Sequence, residues 1–250
     1  MKNWLKSSTN SAFACVLCIL VLFNVYASIN ENTLLLQASK ALTIPLFFSI
    51  YFLKNKFINT IFIAFLLLTF IGDLFSMMSI DTGQLKVTSA AYFCCYTVLI
   101  LVGLYRIRGF KFKGLVGAYL VVVFLLNGYF MYSLFGMLSY NIADSTELFF
   151  TTLQIIALVV LGFIAFAGYL NEDGRQSIVF LIMSFCLIFS QVLSFVEMYY
   201  ISYNLFIILE WSAHIAGLVL FYNYLVEYNR QRKRKIVEEK RISITEKIAA

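Results

Sequence analysis

The sequence predicts an all-α, polytopic membrane helix bundle, and three observations support this class. Hydrophobic residues make up 62% of the 250-residue chain and charged residues only 13%, whereas soluble domains have roughly 45–50% and about 25%. The apolar residues form runs long enough to cross a bilayer, which takes about 20 residues. These runs are too long and too evenly apolar for barrel strands, which alternate over about 10 residues. Because lipid offers the backbone no hydrogen-bond partner, each run is expected to be a helix.

The apolar runs predict eight transmembrane helices in succession. Short connections separate them and carry the charges and turn formers, as in Asn171-Glu172-Asp173-Gly174. The length suggests one compact domain. We therefore expect an eight-helix transmembrane domain at 1–226 and a short basic cytoplasmic tail at 227–250. The predicted spans are 12–29, 33–53, 57–80, 87–105, 114–134, 148–170, 177–200 and 205–226.

The positive charges predict how the bundle is oriented. All Lys and Arg residues except Lys40 and Lys86 fall on one predicted side, and positive loop charge marks the cytoplasmic side. Both termini are therefore predicted to be cytoplasmic, and an even number of spans agrees with that. The tail NRQRKRKIVEEKRISITEKIAA can bind anionic lipid headgroups. The net charge of +6 comes largely from this side and does not imply a nucleic-acid partner.

The first span has a second interpretation. Lys2 and Lys6, the apolar run to Val25 and the small residues Ala27-Ser28 also fit a secretory signal peptide. Cleavage there would leave seven spans and place the new N-terminus outside. The remaining loop charges agree with either arrangement.

The composition argues against several kinds of site. The chain has a single histidine, which excludes a multi-histidine metal or haem site. Its five cysteines fall in apolar runs, where they behave as small hydrophobic residues. Walker, GxGxxG, HExxH and GxSxG motifs are missing from the sequence. No metal and no cofactor are therefore expected.

Five ionisable residues lie at membrane depth: Lys40, Asp73, Glu197, Glu210 and His214. Such residues cost about 2.5–3.5 kcal/mol on insertion scales and usually face the bundle interior. In the predicted orientation all five fall in the outer half of the membrane. Lys40 could neutralise Asp73, and Glu210, one turn before His214, could orient or protonate the imidazole. The alternative is a structural polar network that holds the bundle together.

Uncharged polar residues in the spans give weaker signals, because isolated Ser and Thr in a span more often bond to their own helix backbone. The uncharged polar residues that could line one cavity together with the five ionisable residues are Ser39, Ser76, Tyr92, Tyr96, Thr97, Asn127, Gln154, Ser190, Gln191, Ser194 and Asn223.

Three segments carry short motifs: ASKALTIPLFFSIYFLKNK, LTFIGDLFSMM and FCLIFSQVLSFVEMYY. With the eight-span count, they resemble the YhhN family, which includes lysoplasmalogenases. Lys40-Ala41-Leu42-Thr43 matches the Lys and Leu of a motif on helix 2, and Gly72-Asp73 matches a Gly-Asp on helix 3. Ser190 matches the Ser of a Phe-x-x-Ser-Asp motif on helix 7. The resemblance spans about residues 10–226 and favours an uncleaved first helix.

The chain departs from the family pattern at two positions. Gln191 stands where the family carries its second acidic residue, and Tyr96 stands where helix 4 of the family tends to carry a His. Glu197, or Glu210 with His214, would then have to replace the missing carboxylate.

The resemblance implies a hydrolase that cleaves the vinyl-ether bond of a lysoplasmalogen or related lipid, releasing a fatty aldehyde. Protonation of the enol ether and addition of water call for a general acid and a base. Asp73 would fill one of these roles, with Lys40 as its electrostatic partner and phosphate contact, and the Glu210/His214 pair would compensate for Gln191. The residues expected at the substrate are Lys40, Tyr96, Ser190, Gln191 and Glu197.

Two other functions stay open. The changes at Gln191 and Tyr96 favour a lipid-binding or sensing module that keeps the fold without the chemistry. A small transporter using the charged cluster as a relay is weaker, because the spans are not broken by Gly and Pro. In each case we expect a multi-pass protein of a bacterial inner membrane with a lipid or lysolipid partner, and the oligomeric state is left open.

Overall fold

The computed structural model describes residues 8–30, 42–49, 60–77, 82–106, 115–171, 174–200 and 203–249, together with Leu35 and Phe52. All regular structure within these ranges is α-helical, which confirms the predicted class. In chain order the helices are α1 (Ser8–Ile29), α2 (42–49), α3 (Thr60–Met77), α4 (Thr82–Arg106), α5 (Leu115–Asn141), α6 (Ser145–Asn171), α7 (Arg175–Tyr199) and α8 (Asn204–Ala249).

Five helices contain stretches long and apolar enough to cross a membrane, as an integral membrane protein requires. These stretches are Leu85–Tyr105, Gly117–Tyr140, Ser145–Asn171, Arg175–Tyr199 and Asn204–Tyr228. Shorter apolar helical stretches occupy Ile19–Ile29 and Thr60–Ser76 in the described part of the chain. The apolar character predicted for these segments is therefore confirmed.

Two helices extend past the predicted ends of their spans. α5 continues to Asn141 instead of ending near residue 134, because the sequence stays apolar through Leu138. The apolar part of α8 ends at Tyr228, close to the predicted residue 226, but the helix itself continues to Ala249. The tail is rich in Lys, Arg and Glu and has no Gly or Pro, so its residues favour helix in water as well. The basic tail is thus a continuation of the last span.

The loop between α5 and α6 shows how a local sequence signal starts a helix. Asp144 stands just before α6, and its Oδ1 accepts hydrogen bonds from the backbone N–H groups of Thr146 (2.8 Å) and Glu147 (3.4 Å). These are amides of the first turn, which have no partner inside the helix. Asp144 is therefore the N-cap of α6.

Helix packing determines which spans are neighbours. Among the described helices, α7 packs on α8, α4 packs on α3 and α6, and α6 also packs on α5 and α7, while α1 contacts α8. Aromatic rings connect α3 to α8, since the Phe65 and Phe221 rings meet edge to face with centroids 4.6 Å apart. The hydrophobic core draws buried side chains from every helix from α2 to α8, and α5 also presents exposed apolar side chains such as Tyr129 and Tyr132.

Glycines allow two of these interfaces to close tightly. A Cβ on Gly217 of α8 would lie 2.6 Å from Cδ2 of Leu187 on α7, and a Cβ on Gly103 of α4 would lie 2.6 Å from Cγ2 of Ile164 on α6. Small residues at contacts of this kind let membrane helices approach closely.

Candidate functional site

The candidate site is built around Asp73, about one turn before the end of α3. The Tyr92 hydroxyl of α4 donates a 2.5 Å hydrogen bond to Asp73 Oδ1. The ring of Tyr92 reaches this position by lying against Gly72, where a Cβ would be 3.1 Å from its Cε1 and Cζ atoms. The Gly-Asp pair therefore supplies both the carboxylate and the space for the group that binds it.

His214 of α8 approaches the other oxygen of the same carboxylate. Its Nε2 lies 3.8 Å from Asp73 Oδ2, and the side chains are only 8% and 12% exposed. The distance is too long for a direct hydrogen bond but short enough for strong electrostatic coupling in a poorly hydrated interior. The structure therefore places side by side two residues that the sequence assigns to one predicted site.

Aromatic rings and a second carboxylate surround the pair. Tyr96 is buried, and its ring stacks on Tyr92 with centroids 6.2 Å apart and an interplanar angle of 14°. The indole of Trp211 meets the imidazole of His214 edge to face, with centroids 6.2 Å apart. Glu210 is partly buried on α8 and interacts electrostatically with both tyrosine hydroxyls. Tyr96 and Glu210 thus belong to the same cluster as Asp73 and His214.

The two motif residues on α7 lie in a different environment. Gln191 is buried and accepts a 2.6 Å hydrogen bond at Oε1 from Nε2 of Gln154 on α6. The preceding Ser190 is fully buried, and its hydroxyl has no hydrogen-bond partner in the described part of the structure. The Gln191 amide therefore joins α7 to α6, and a proton-exchanging role for this position has no support.

The remaining predicted site residues are Glu197 and Lys40. Glu197 is partly buried near the C-terminal end of α7, about two turns beyond Gln191. Lys40 lies outside the described residues, so its predicted pairing with Asp73 stays a prediction.

A further set of polar contacts occupies the end of the bundle at which α3 ends and α4 begins. Lys86 Nζ lies 2.6 Å from Asp144 Oδ2, and the hydroxyls of Ser89 and Thr151 lie 3.2 Å apart. Tyr199 of α7 donates a 3.1 Å hydrogen bond to Oε1 of Glu147, which is only 4% exposed. The Lys86 hydrogen bond and the N-capping amides of α6 hold the pKa of Asp144 below its usual range.

Three of these residues have only a weak signal in the sequence. Tyr92 and Gln154 are two of many polar residues in the predicted spans, and Glu147 lies one residue before the predicted span at 148–170. Two features of the sequence nevertheless point to them. Gly72 predicts a close neighbour beside Asp73, and Glu147, Thr151 and Gln154 follow one another at helical spacing on α6.

The chemistry available to the site is proton transfer. Asp73, His214 and Glu210 can exchange protons, and the hydroxyl of Tyr92 fixes the position of the central carboxylate. In the part of the chain that the structure describes, His, Cys, Asp and Glu side chains form no group of three or more that could hold a metal ion.

Comparison with known proteins returns no match: no family model, no curated protein and no solved structure is similar to the chain.

Proposed function

We propose that this chain is an eight-span membrane hydrolase of the YhhN type that cleaves the vinyl-ether bond of a lysoplasmalogen or a closely related single-chain ether lipid. Both termini would be cytoplasmic and the site would lie in the outer half of a bacterial inner membrane. The observation that carries the proposal is the buried Asp73–His214 pair, in which Oδ2 lies 3.8 Å from Nε2. Buried charges inside a membrane bundle are rare, costly and typical of functional sites.

The reaction needs one group that gives a proton and then takes one back. In the proposed step, the Asp73–His214 pair protonates the vinyl carbon distal to the ether oxygen, so that the carbon bound to that oxygen becomes an oxocarbenium ion. Water adds to this carbon while the pair takes one of its protons. The hemiacetal then breaks its carbon–oxygen bond to the glycerol, which leaves an alcohol and a fatty aldehyde.

The neighbours of the pair are suited to this chemistry. The Tyr92 hydroxyl is hydrogen-bonded to Oδ1 of Asp73. In the proposed step, the atom that exchanges protons is therefore Oδ2, which faces His214. Burial keeps the pair from being dominated by bulk water, and positioned acid–base catalysis of this kind contributes typically about 10²–10⁴-fold to a rate. Tyr96 and Trp211 supply apolar surface beside the pair, against which an alkenyl chain can lie.

A second function, lipid binding without catalysis, is favoured by one specific observation. Gln191 stands where the resemblance requires the second acidic residue, and its amide is engaged by Gln154. In this case the fold would bind a lysolipid and leave it unchanged.

Purified protein in nanodiscs distinguishes the two functions. We expect release of fatty aldehyde from an alkenyl lysophospholipid and none from the saturated alkyl-ether analogue. Asp73→Asn keeps an acceptor for the Tyr92 hydroxyl but cannot exchange protons, and His214→Gln removes the imidazole. Both variants are expected to lose at least 100-fold in rate, whereas Glu227→Gln, which changes a carboxylate on α8 more than three turns beyond His214, is expected to remain active.

A different result in the same assay would contradict the hydrolase proposal. If folded wild-type protein releases no aldehyde but the lysolipid changes its Trp211 fluorescence, the binding function is correct and the hydrolase proposal fails. A reporter fused to the C-terminus tests the orientation, and its detection on the outer side of the membrane would contradict the proposed topology.

A further inference from the structure

The Asp73–His214 pair is buried, and a buried acid–base pair needs a route by which it exchanges protons with water. Its carboxylate and imidazole are only 12% and 8% exposed. Tyr92, which binds Asp73, is itself only 8% exposed. Direct contact with the aqueous phase therefore does not account for proton exchange at this site.

A line of polar side chains runs along the interface between α4 and α6. Lys86 and Ser89 stand three residues apart on α4, and Asp144, Glu147 and Thr151 follow at steps of three and four residues where α6 begins. Residues at this spacing share one face of a helix, with neighbouring Cβ atoms about 5–6 Å apart. We call these five residues the α4–α6 seam.

The seam is joined across the interface at two levels. At the outer level the Lys86 ammonium pairs with Asp144 at 2.6 Å, and at the inner level the Ser89 and Thr151 hydroxyls lie 3.2 Å apart. The side chains of Lys86 and Asp144 are 28% and 31% exposed, whereas Ser89 and Thr151 are buried. The seam therefore begins at the protein surface and continues into the interior.

The inner end of the seam points toward the acid–base pair. Tyr92 lies three residues beyond Ser89 on the same face of α4, and its hydroxyl donates to Asp73. Hydroxyl groups both donate and accept hydrogen bonds, so they can pass a proton on. A separation of about 5–6 Å between successive levels is one that a single water molecule can bridge.

We propose that the α4–α6 seam is the route by which water and protons reach the Asp73–His214 pair, with the Tyr92 hydroxyl as the last link. The inference concerns proton access, so it holds whether or not the pair hydrolyses a lipid. Within the described ranges, the other titratable groups that interact with the pair or its Tyr92 partner are Tyr96 and Cys95 on α4 and Glu210 on α8. The seam differs from these groups because it begins at two partly exposed charged side chains, Lys86 and Asp144.

The single histidine makes the test specific. In [15N]histidine-labelled protein, His214 gives the only imidazole signal, so its titration can be followed by NMR. The rate is followed by stopped-flow pH jumps in nanodiscs, using Trp211 fluorescence, because a protonated imidazole quenches a neighbouring indole. A Trp4→Phe background leaves Trp211 as the only tryptophan, since the chain has two.

We expect Ser89→Ala combined with Thr151→Val to slow protonation of His214 at least tenfold. Thr152→Val is the matched control, because the Thr152 hydroxyl donates to the Leu148 carbonyl of its own helix and is not part of the seam. Thr151→Ser keeps a hydroxyl at the seam and is expected to retain the wild-type rate. If the double variant does not fold, Ser89→Ala alone removes one hydroxyl with the smallest change in shape and is expected to show the same slowing.

Three results would overturn the inference. One is an unchanged rate in the folded seam variants, which would mean that protons reach His214 by another route. Another is an imidazole signal that stays unchanged when the pH is varied while the protein remains folded, because the pair would then have no use for such a route. A slowing that Thr152→Val reproduces would count against it in the same way.

Discussion

The Tyr92 hydroxyl donates a 2.5 Å hydrogen bond to Oδ1 of Asp73, so a carboxylate on α3 is held by a ring on α4. Short O–H···O⁻ hydrogen bonds are the stronger class because one partner carries charge. The bond leaves Oδ2 to face His214 on a third helix. The Tyr92–Asp73 hydrogen bond thus joins two helices and determines which carboxylate oxygen faces His214.

Removing this hydroxyl should destabilise the protein without removing the ring. Tyr92→Phe keeps the stacking on Tyr96 but leaves a buried carboxylate oxygen without its donor, which costs about 1.5–3 kcal/mol for a hydrogen bond to a charged group. Thermal unfolding in detergent, followed by circular dichroism, measures the loss. Tyr132→Phe on the exposed face of α5 is the control and is expected to unfold like the wild type. Equal stability of the two variants would mean that the bond contributes nothing.

A side chain at Gly72 is predicted to destabilise the protein. In Gly72→Ala the new Cβ would lie 3.1 Å from ring atoms of Tyr92 and would push the hydroxyl away from Asp73. Overpacking of this kind costs about 1–3 kcal/mol. Gly136→Ala on α5 is the matched control, because a Cβ there meets nothing within 4 Å. Since Ala favours helix over Gly by up to about 1 kcal/mol, the same unfolding assay should show Gly136→Ala as unchanged or stabilised.

The buried amide pair Gln154–Gln191 should behave as one unit. Gln154→Leu or Gln191→Leu alone leaves the other amide buried without its partner, at a cost of about 1–3 kcal/mol. The double variant removes both polar groups and is expected to lose less than the sum of the single variants. A double-mutant cycle on unfolding free energies measures this coupling. Additive losses would show that the 2.6 Å bond between the two side chains does not couple them.

The ion pair of Lys86 and Asp144 makes the stability of the folded protein depend on pH in the acidic range. The hydrogen bond from Lys86 lowers the pKa of Asp144 in the folded protein, so its stabilising contribution is present above the unfolded-state pKa and disappears as the pH falls through the folded-state pKa. Lys86→Met removes the main cause of the lowered pKa. We therefore expect wild type to melt at a higher temperature than Lys86→Met near neutral pH.

The same comparison at low pH supplies the control. Below the folded-state pKa both proteins carry a protonated Asp144, so their melting temperatures are expected to converge. A difference that stays constant from neutral pH down to the acid limit would assign the effect of Lys86→Met to packing of the lysine stem and not to charge.

Much of the architecture could be predicted from the order of residues. Apolar runs predicted helices with ends close to the observed ones, because lipid allows a spanning backbone few alternatives. The sequence also places Asp73 and His214 in one predicted site, and the structure brings their side chains to 3.8 Å from each other. The continuation of α8 to Ala249 was less visible, since charged residues mark the end of an apolar span but do not interrupt helical hydrogen bonding.

The partners of each polar residue depended on packing between helices. A membrane helix is apolar on most of its faces, so periodicity gives little indication of how it is rotated or which helix lies beside it. Tyr92 reaches Asp73 because Gly72 leaves room for its ring, and Gln191 meets Gln154 because α6 and α7 are neighbours. The sequence by itself determined that the chain is all-helical and where its apolar helices lie, because hydropathy can be read along one chain. Only the tertiary structure decided that Asp73 is bound by Tyr92 and faces His214, because such contacts depend on the shapes of helices distant in sequence.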